Sequence, residues 1–184
     1  MALTPSNMLP LGTKAPDFSL IDTISDTTIS LHDEKGTKGT VIMFICNHCP
    51  FVIHVNEGIV KLANDFMSKG IGFIAISSND VANYPADSPD LMKKNAEKQK
   101  FPFVYLYDET QEVAKKYDAA CTPDFYIFEE ELTLAYRGQL DNSRPNNGIP
   151  VTGTAMREAL DTLLKGEKIS EVQKPSIGCG IKWF

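Results

Sequence analysis

Cysteine is scarce in this chain, with four among 184 residues. So few thiols exclude a secreted scaffold built on disulfides, which needs a dense cysteine framework. Basic runs are missing too. The 18 Lys and Arg residues are outnumbered by 24 Asp and Glu, for a net charge of −6. That balance argues against nucleic acid or an anionic membrane surface as the main partner. No apolar run approaches the roughly 18 residues of a membrane span. The N-terminal stretch MALTPSNMLPLGTKAPDF has no basic n-region and no apolar h-region, and Pro5 and Pro10 interrupt it. It does not read as a secretory signal. The expected compartment is therefore the cytoplasm, where paired cysteines are more often catalytic or metal-binding than structural.

What is present suits one soluble globular domain over 1–184, with 42% hydrophobic and 23% charged residues. No repeat, low-complexity segment or linker divides it. The region up to Gly39 reads as irregular, with a short strand at Thr28–Leu31. Thr40–Cys46 is a continuous β-branched apolar run, as in a strand buried on both faces. Pro50 suits the first turn of a helix. Phe51, Val55, Ile59, Leu62 and Phe66 then form a helical stripe that ends at Lys69-Gly70. Gly58 interrupts that helix for no reason visible in the sequence. Ile71–Ser78 and Phe103–Asp108 read as further strands, PDLMKKNAEKQ and ETQEVAKKYD as helices. DFYIF and LTLAYRG flank EEE as a hairpin, and Thr152–Gly166 is a helix with a capping threonine. The order βαβαβαββα points to an α/β sandwich with a parallel core and a terminal antiparallel hairpin.

Two of the four cysteines stand three residues apart, in Cys46-Asn47-His48-Cys49-Pro50. Alone, the spacing fits half a zinc site or a redox pair. Its place between a buried strand and a helix start favours redox chemistry. Unpaired N–H groups and the positive helix end would stabilise a thiolate at Cys46 and lower its pKa. Cys49, read as one turn deeper, suits a disulfide, whose Cα atoms prefer about 5.5–6 Å. His48 can add positive charge or a hydrogen bond to Cys46. The zinc reading lacks a second pair, because Cys121 and Cys179 are single and distant.

Thr122-Pro123 opens a strand, and from this stretch alone an ordinary trans turn proline is favoured. Cys121 reads as a core or loop residue. Cys179, between Gly178 and Gly180, is either a third thiol folded back to the site or a small buried residue in a tail anchored by Trp183. His32 and His54 read as solvent-facing, Arg144 as part of a turn. GIGFIA matches G-x-G-x-x-A but runs into a strand, so the dinucleotide reading fails.

Strand, CxxC-Pro and helix, with a later Thr-Pro before a hairpin, together resemble the thioredoxin fold. GTKAPDFSL and FPFVYLYDETQEVAKKYDA resemble the peroxiredoxin/TlpA branch of that fold, and FICNHCPFV, ISSND, TPDFYIF, YRGQLDNSRP, VTGTAMREALDTLL and PSIGCGIKW resemble the peroxiredoxin-like subgroup of the AhpC/TSA family. This resemblance covers essentially the whole chain. It implies a central mixed sheet flanked by helices, with an N-terminal extension and a C-terminal tail. It also implies that Thr122 and a cis Pro123 lie beside the CxxC and position the substrate chain. The peroxide-binding Pro-x-x-x-Thr-x-x-Cys loop is not matched. Counting back from Cys46, its threonine and proline places hold Met43 and Gly39; from Cys49 they hold Cys46 and Ile42. The place of the peroxide-binding arginine falls near Thr122-Pro123.

The expected function is thiol–disulfide oxidoreduction. Cys46 is the nucleophile, Cys49 resolves, His48 tunes the pair, and Cys179 is a possible further redox thiol. The partners are a protein or small-molecule disulfide and a cellular thiol reductant. No cofactor or metal beyond the redox disulfide is expected. The alternatives are a thiol peroxidase with Cys49 or Cys179 resolving, and a metal carrier using Cys46, Cys49 and a nearby histidine.

Overall fold

The computed structural model describes residues 3–184. Met1 and Ala2, the start of the stretch read above for a leader, lie outside the described residues. In chain order the elements are β1 (Leu3–Pro5), β2 (Ser19–Asp22), β3 (Thr28–Ser30), α1 (Leu31–Glu34), β4 (Gly39–Phe44), α2 (Pro50–Phe66), β5 (Ile71–Ser77), α3 (Pro89–Gln99), β6 (Val104–Tyr107), α4 (Glu112–Lys116), β7 (Cys121–Thr122), β8 (Asp124–Glu129), β9 (Leu134–Gly138), α5 (Thr154–Leu164) and β10 (Ile177–Gly180). The N-terminal region is more ordered than its irregular sequence suggests, because β2 and β3 form an antiparallel hairpin that extends the main sheet.

That sheet has seven strands in the order β3-β2-β6-β5-β4-β8-β9. β4, β5 and β6 run parallel at its centre, and the strands on either side are antiparallel. A second, three-stranded sheet, β1-β10-β7, has the C-terminal tail as its middle strand. No helix among the described residues is long and apolar enough to cross a membrane.

All six residues of β4 are buried, and the period of two sends them to opposite faces. Val41 and Met43 join one apolar core with residues of α2, α3 and α5. Ile42 and Phe44 join the other with Phe18, Leu31, Val113 and Tyr117. The continuous apolar run is thus the signature of a central strand covered on both sides. α2 buries Val52, Val55, Ile59, Leu62 and Phe66 on one face. Each such side chain contributes about 1.5–3 kcal/mol when fully buried. Gly58 finds its reason here, since a Cβ would stand 2.5 Å from Val151 Cγ1 in the segment before α5.

Two helix starts differ from the sequence reading. α5 is capped by Gly153 in the left-handed region, at φ 69°, rather than by a threonine. The N–H groups of Thr152 and Gly153 both donate to Asp141 Oδ2 at 2.7 Å. A carboxylate from the preceding turn therefore fixes the chain just ahead of the helix. α4 starts only at Glu112, after Gln111 in the left-handed region at φ 62°, and the Asp108 carboxylate takes its Val113 and Ala114 N–H groups.

Candidate active site

β4 delivers the chain to the site. Pairing with β5 continues one residue beyond the strand, where Ile45 N donates to Ile76 O at 3.0 Å. Cys46, Asn47 and His48 form a loop, Cys49 is the N-cap of α2, and Pro50 is its first helical residue. This corrects the sequence reading, which placed Cys46 at the helix start and Cys49 one turn inside. Pro50 stops the helix from extending backwards past Cys49.

The loop is pinned by a carboxylate that the sequence did not single out. Asp87, fully buried at the end of a 3₁₀ turn, accepts the Asn47 N–H at 2.8 Å and Asn79 Nδ2 at 2.8 Å. His48 Nδ1 lies 2.6 Å from the same carboxylate. Facing an acceptor, Nδ1 is the donor. The imidazole also stacks on Tyr84, with ring centres 5.6 Å apart. Asn47 is held further by Ala86 O, Asn95 and the Tyr105 hydroxyl. The direct partner of His48 is therefore Asp87, and it is the Asp87 carboxylate whose charge acts on Cys46. Nothing in YPADSPD marks Asp87 as more than a turn residue; only folding brings it to Cys46.

Opposite this loop, the Thr122–Pro123 peptide bond is cis. The turn proline favoured by the stretch alone is thus corrected: the bond is cis and lies beside the CxxC, as the family resemblance implies. Thr122 Oγ1 is 3.5 Å from Cys46 Sγ, and Thr122 O is 3.2 Å from Cys49 Sγ. Behind the loop, buried Asp124 pairs with Arg137 at 3.1 Å and accepts from Ser6 Oγ at 2.7 Å. Arg137 is committed to this anchor, donating to Ser6 Oγ, Asp118 O and Asp124.

Cys46, Cys49 and Cys179 are all buried. Cys49 Sγ lies 2.9 Å from Cys179 Sγ, nearer than a non-bonded sulfur pair and beyond the ~2.05 Å of a disulfide. The tail is thus folded onto the site, but not by Trp183, which is 42% exposed. β10 and buried Ile181 hold it instead. The Cys121 sulfur donates to Pro123 O at 3.6 Å, and burial pushes its thiol up.

Charge is distributed differently from the sequence expectation. Cys49 is the thiol held low, to about 4. The hydrogen bond from Cys46 is the main cause, joined by Cys179, the Val52 N–H and Thr122 against the opposing effect of burial. Cys46 is pushed well up, first by donating that bond, then by burial and the Asp87 carboxylate. Burial and the bond to Cys49 push Cys179 up to about 12. The Val52 N–H, in the first turn of α2, is the helix's own lesser share in holding Cys49 low.

Cys46 Sγ, a His48 ring nitrogen and an Asp87 oxygen lie within 4.8 Å of one another, a donor set a divalent cation could use. His48 and Asp87 are, however, already bonded to each other, and Asp87 also holds Asn47 and Asn79. The other candidates serve the framework. Arg144 donates to Asp141 O, Ser143 O and Gln139 Oε1. His54 is half-buried, with Nε2 2.7 Å from Ser143 Oγ. His32 is exposed, 4.0 Å from Asp17.

A search of curated protein sequences finds no match. Among solved structures, an uncharacterized conserved protein of Geobacillus kaustophilus is 62% identical, with a TM-score of 0.98 over 100% of this chain and 97% of its own. A hypothetical protein of Sinorhizobium meliloti is 41% identical, with a TM-score of 0.96 over 98% of both chains. The thioredoxin domain of a thiol-disulfide oxidoreductase from Bacteroides vulgatus is 20% identical, with a TM-score of 0.62 over 83% of this chain and 99% of its own. That likeness identifies the fold as thioredoxin-like. Residues 11–137 match the model of the AhpC/TSA family, and the chain belongs to that family.

Proposed function

We propose that the protein is a thiol–disulfide oxidoreductase working through a Cys46–Cys49 disulfide. The observation that carries this reading is the pair of buried cysteines at the start of α2 whose sulfurs both reach Thr122, at 3.5 Å and 3.2 Å, beside the cis peptide. The pair shares one proton, which the surroundings draw towards Cys46 and away from Cys49. Transfer of that proton to Cys49 makes Cys46 the thiolate. Cys46 attacks one sulfur of a substrate disulfide, and the other sulfur leaves as a thiolate. Cys49 then loses its proton and attacks Cys46 Sγ. The second substrate sulfur leaves, and Cys46–Cys49 remains oxidised until a thiol reductant opens it. The Asp87–His48 pair fixes the loop that carries Cys46.

The test is a Cys49→Ser variant exposed to disulfides. A mixed disulfide trapped on Cys46 is the expected product. Failure of Cys46 to react, together with failure of the native protein to form Cys46–Cys49, would remove the proposal.

A further inference from the structure

The C-terminal strand fills the edge beside the cis peptide. In β10, Cys179 stands opposite Thr122 and Gly180 opposite Cys121, antiparallel, while β1 closes the other side with Leu3 opposite Cys179. Gly178 makes this approach possible, because a Cβ there would lie 1.9 Å from Thr122 O. Ser176 Oγ donates to Pro123 O at 2.6 Å on one side of the strand. On the other, Ile181 N donates to Ala120 O at 3.1 Å and Lys182 N to Asn79 Oδ1 at 2.8 Å. Both flanks are thus tied to the loops that frame the active site. The backbone edge that could pair with an external extended chain is taken by the protein's own tail.

We infer that Cys179 is a third working thiol, delivered to Cys49 by this strand, and that the disulfide passes internally from Cys46–Cys49 to Cys49–Cys179. The inference rests on the reading of Cys46–Cys49 as the redox pair. After substrate has been reduced, Cys179 loses its proton and its thiolate attacks Cys49 Sγ. The Cys49–Cys179 bond forms as the Cys46–Cys49 bond breaks. The electron pair leaves on Cys46, which takes up a proton. The exchange consumes no oxidant or reductant. It stores the oxidised state between α2 and the tail, and it returns Cys46 reduced beside Thr122. The geometry supplies what the step needs, since attacking and attacked sulfurs stand 2.9 Å apart on elements tied to one another. Cys121 is not part of the exchange, since its sulfur is engaged with Pro123 O and burial holds its thiol protonated.

Tryptic mapping separates the two bonds. Cys46 and Cys49 share the peptide Gly39–Lys61, Cys179 lies in Ile169–Lys182, and Cys121 lies in Tyr117–Arg137. The reduced native protein and the variants Cys46→Ser and Cys179→Ser are treated with oxidised glutathione and mapped without reduction. The native protein is expected to show the Gly39–Lys61 to Ile169–Lys182 link, and Cys46→Ser to show it in most molecules. Cys179→Ser should lose the link and retain the internal Cys46–Cys49 bond. Absence of the link from both the native protein and Cys46→Ser overturns the inference. If Cys46–Cys49 still forms in Cys179→Ser, the inference alone has failed; if it does not, the parent reading has failed with it.

Discussion

His48 Nδ1 lies 2.6 Å from a carboxylate oxygen of Asp87, and the same carboxylate accepts the backbone N–H of Asn47. The two residues between the cysteines are thus held by one buried acid from a distant turn. This ties the conformation of the CxxC loop to a side chain whose charge also acts on Cys46.

Asp87→Asn removes that charge. Because the carboxylate disfavours the Cys46 thiolate, alkylation of Cys46 should become possible at lower pH in the variant. Lost charged hydrogen bonds should also reduce stability by about 1–3 kcal/mol. The pH profile of iodoacetamide labelling, resolved by fragment mass spectrometry, measures the first effect, and denaturant unfolding the second. An unchanged labelling profile would separate Asp87 from the reactivity of the pair.

The low pKa of Cys49 couples folding to pH. It falls from 9.0 to about 4 on folding, so between these values the unfolded chain binds the extra proton. This contribution to the stability of the reduced protein is fully present above the unfolded value. It is lost as pH falls through about 4. Stability relative to Cys49→Ala should therefore rise with pH across that window. Urea titrations of the two proteins at several pH values check it, and parallel curves would show that the charge resides elsewhere.

Gly178→Ala places a methyl group where Thr122 O now stands, and backbone must move on one side. The expected cost is about 1–3 kcal/mol, read as a lower urea midpoint. Labelling of Cys179 should become faster as β10 lifts from β7. A variant as stable and as protected as the native protein would mean that this close approach is not needed.

Gly58→Ala should fail to give the ~1 kcal/mol that a helix interior gains from alanine, because its Cβ meets Val151 Cγ1 at 2.5 Å. In a Val151→Ala background the same change should recover that gain. A double-mutant cycle by chemical denaturation measures the coupling, and additivity would refute the contact as the reason for the glycine.

Hydrogen peroxide should oxidise the protein no faster than it oxidises a simple thiol. Met43 and Ile42 are buried in β4 rather than offering donors to a peroxide oxygen, and Arg137 is bound to Asp124. Stopped-flow fluorescence or competition kinetics decides this, and a rate orders of magnitude above a free thiol would favour the peroxidase alternative.

Local pattern accounts for what could be read from the chain. The β-branched run of β4, the stripe on α2 and Pro50 specify strand, turn and helix by period and backbone chemistry alone. They also place two thiols at one helix start. Which thiol is held low was not legible, because it depends on how the two thiols face one another and on neighbours from elsewhere. Asp87, Thr122 and Cys179 are separated from their partners by 39, 73 and 130 residues. No periodicity links positions so far apart. The sequence by itself determined the sheet-and-helix frame and the redox-capable pair. Tertiary structure alone decided that an aspartate holds the loop and that the tail carries a third sulfur to it, because both follow from strand pairing and burial between distant segments.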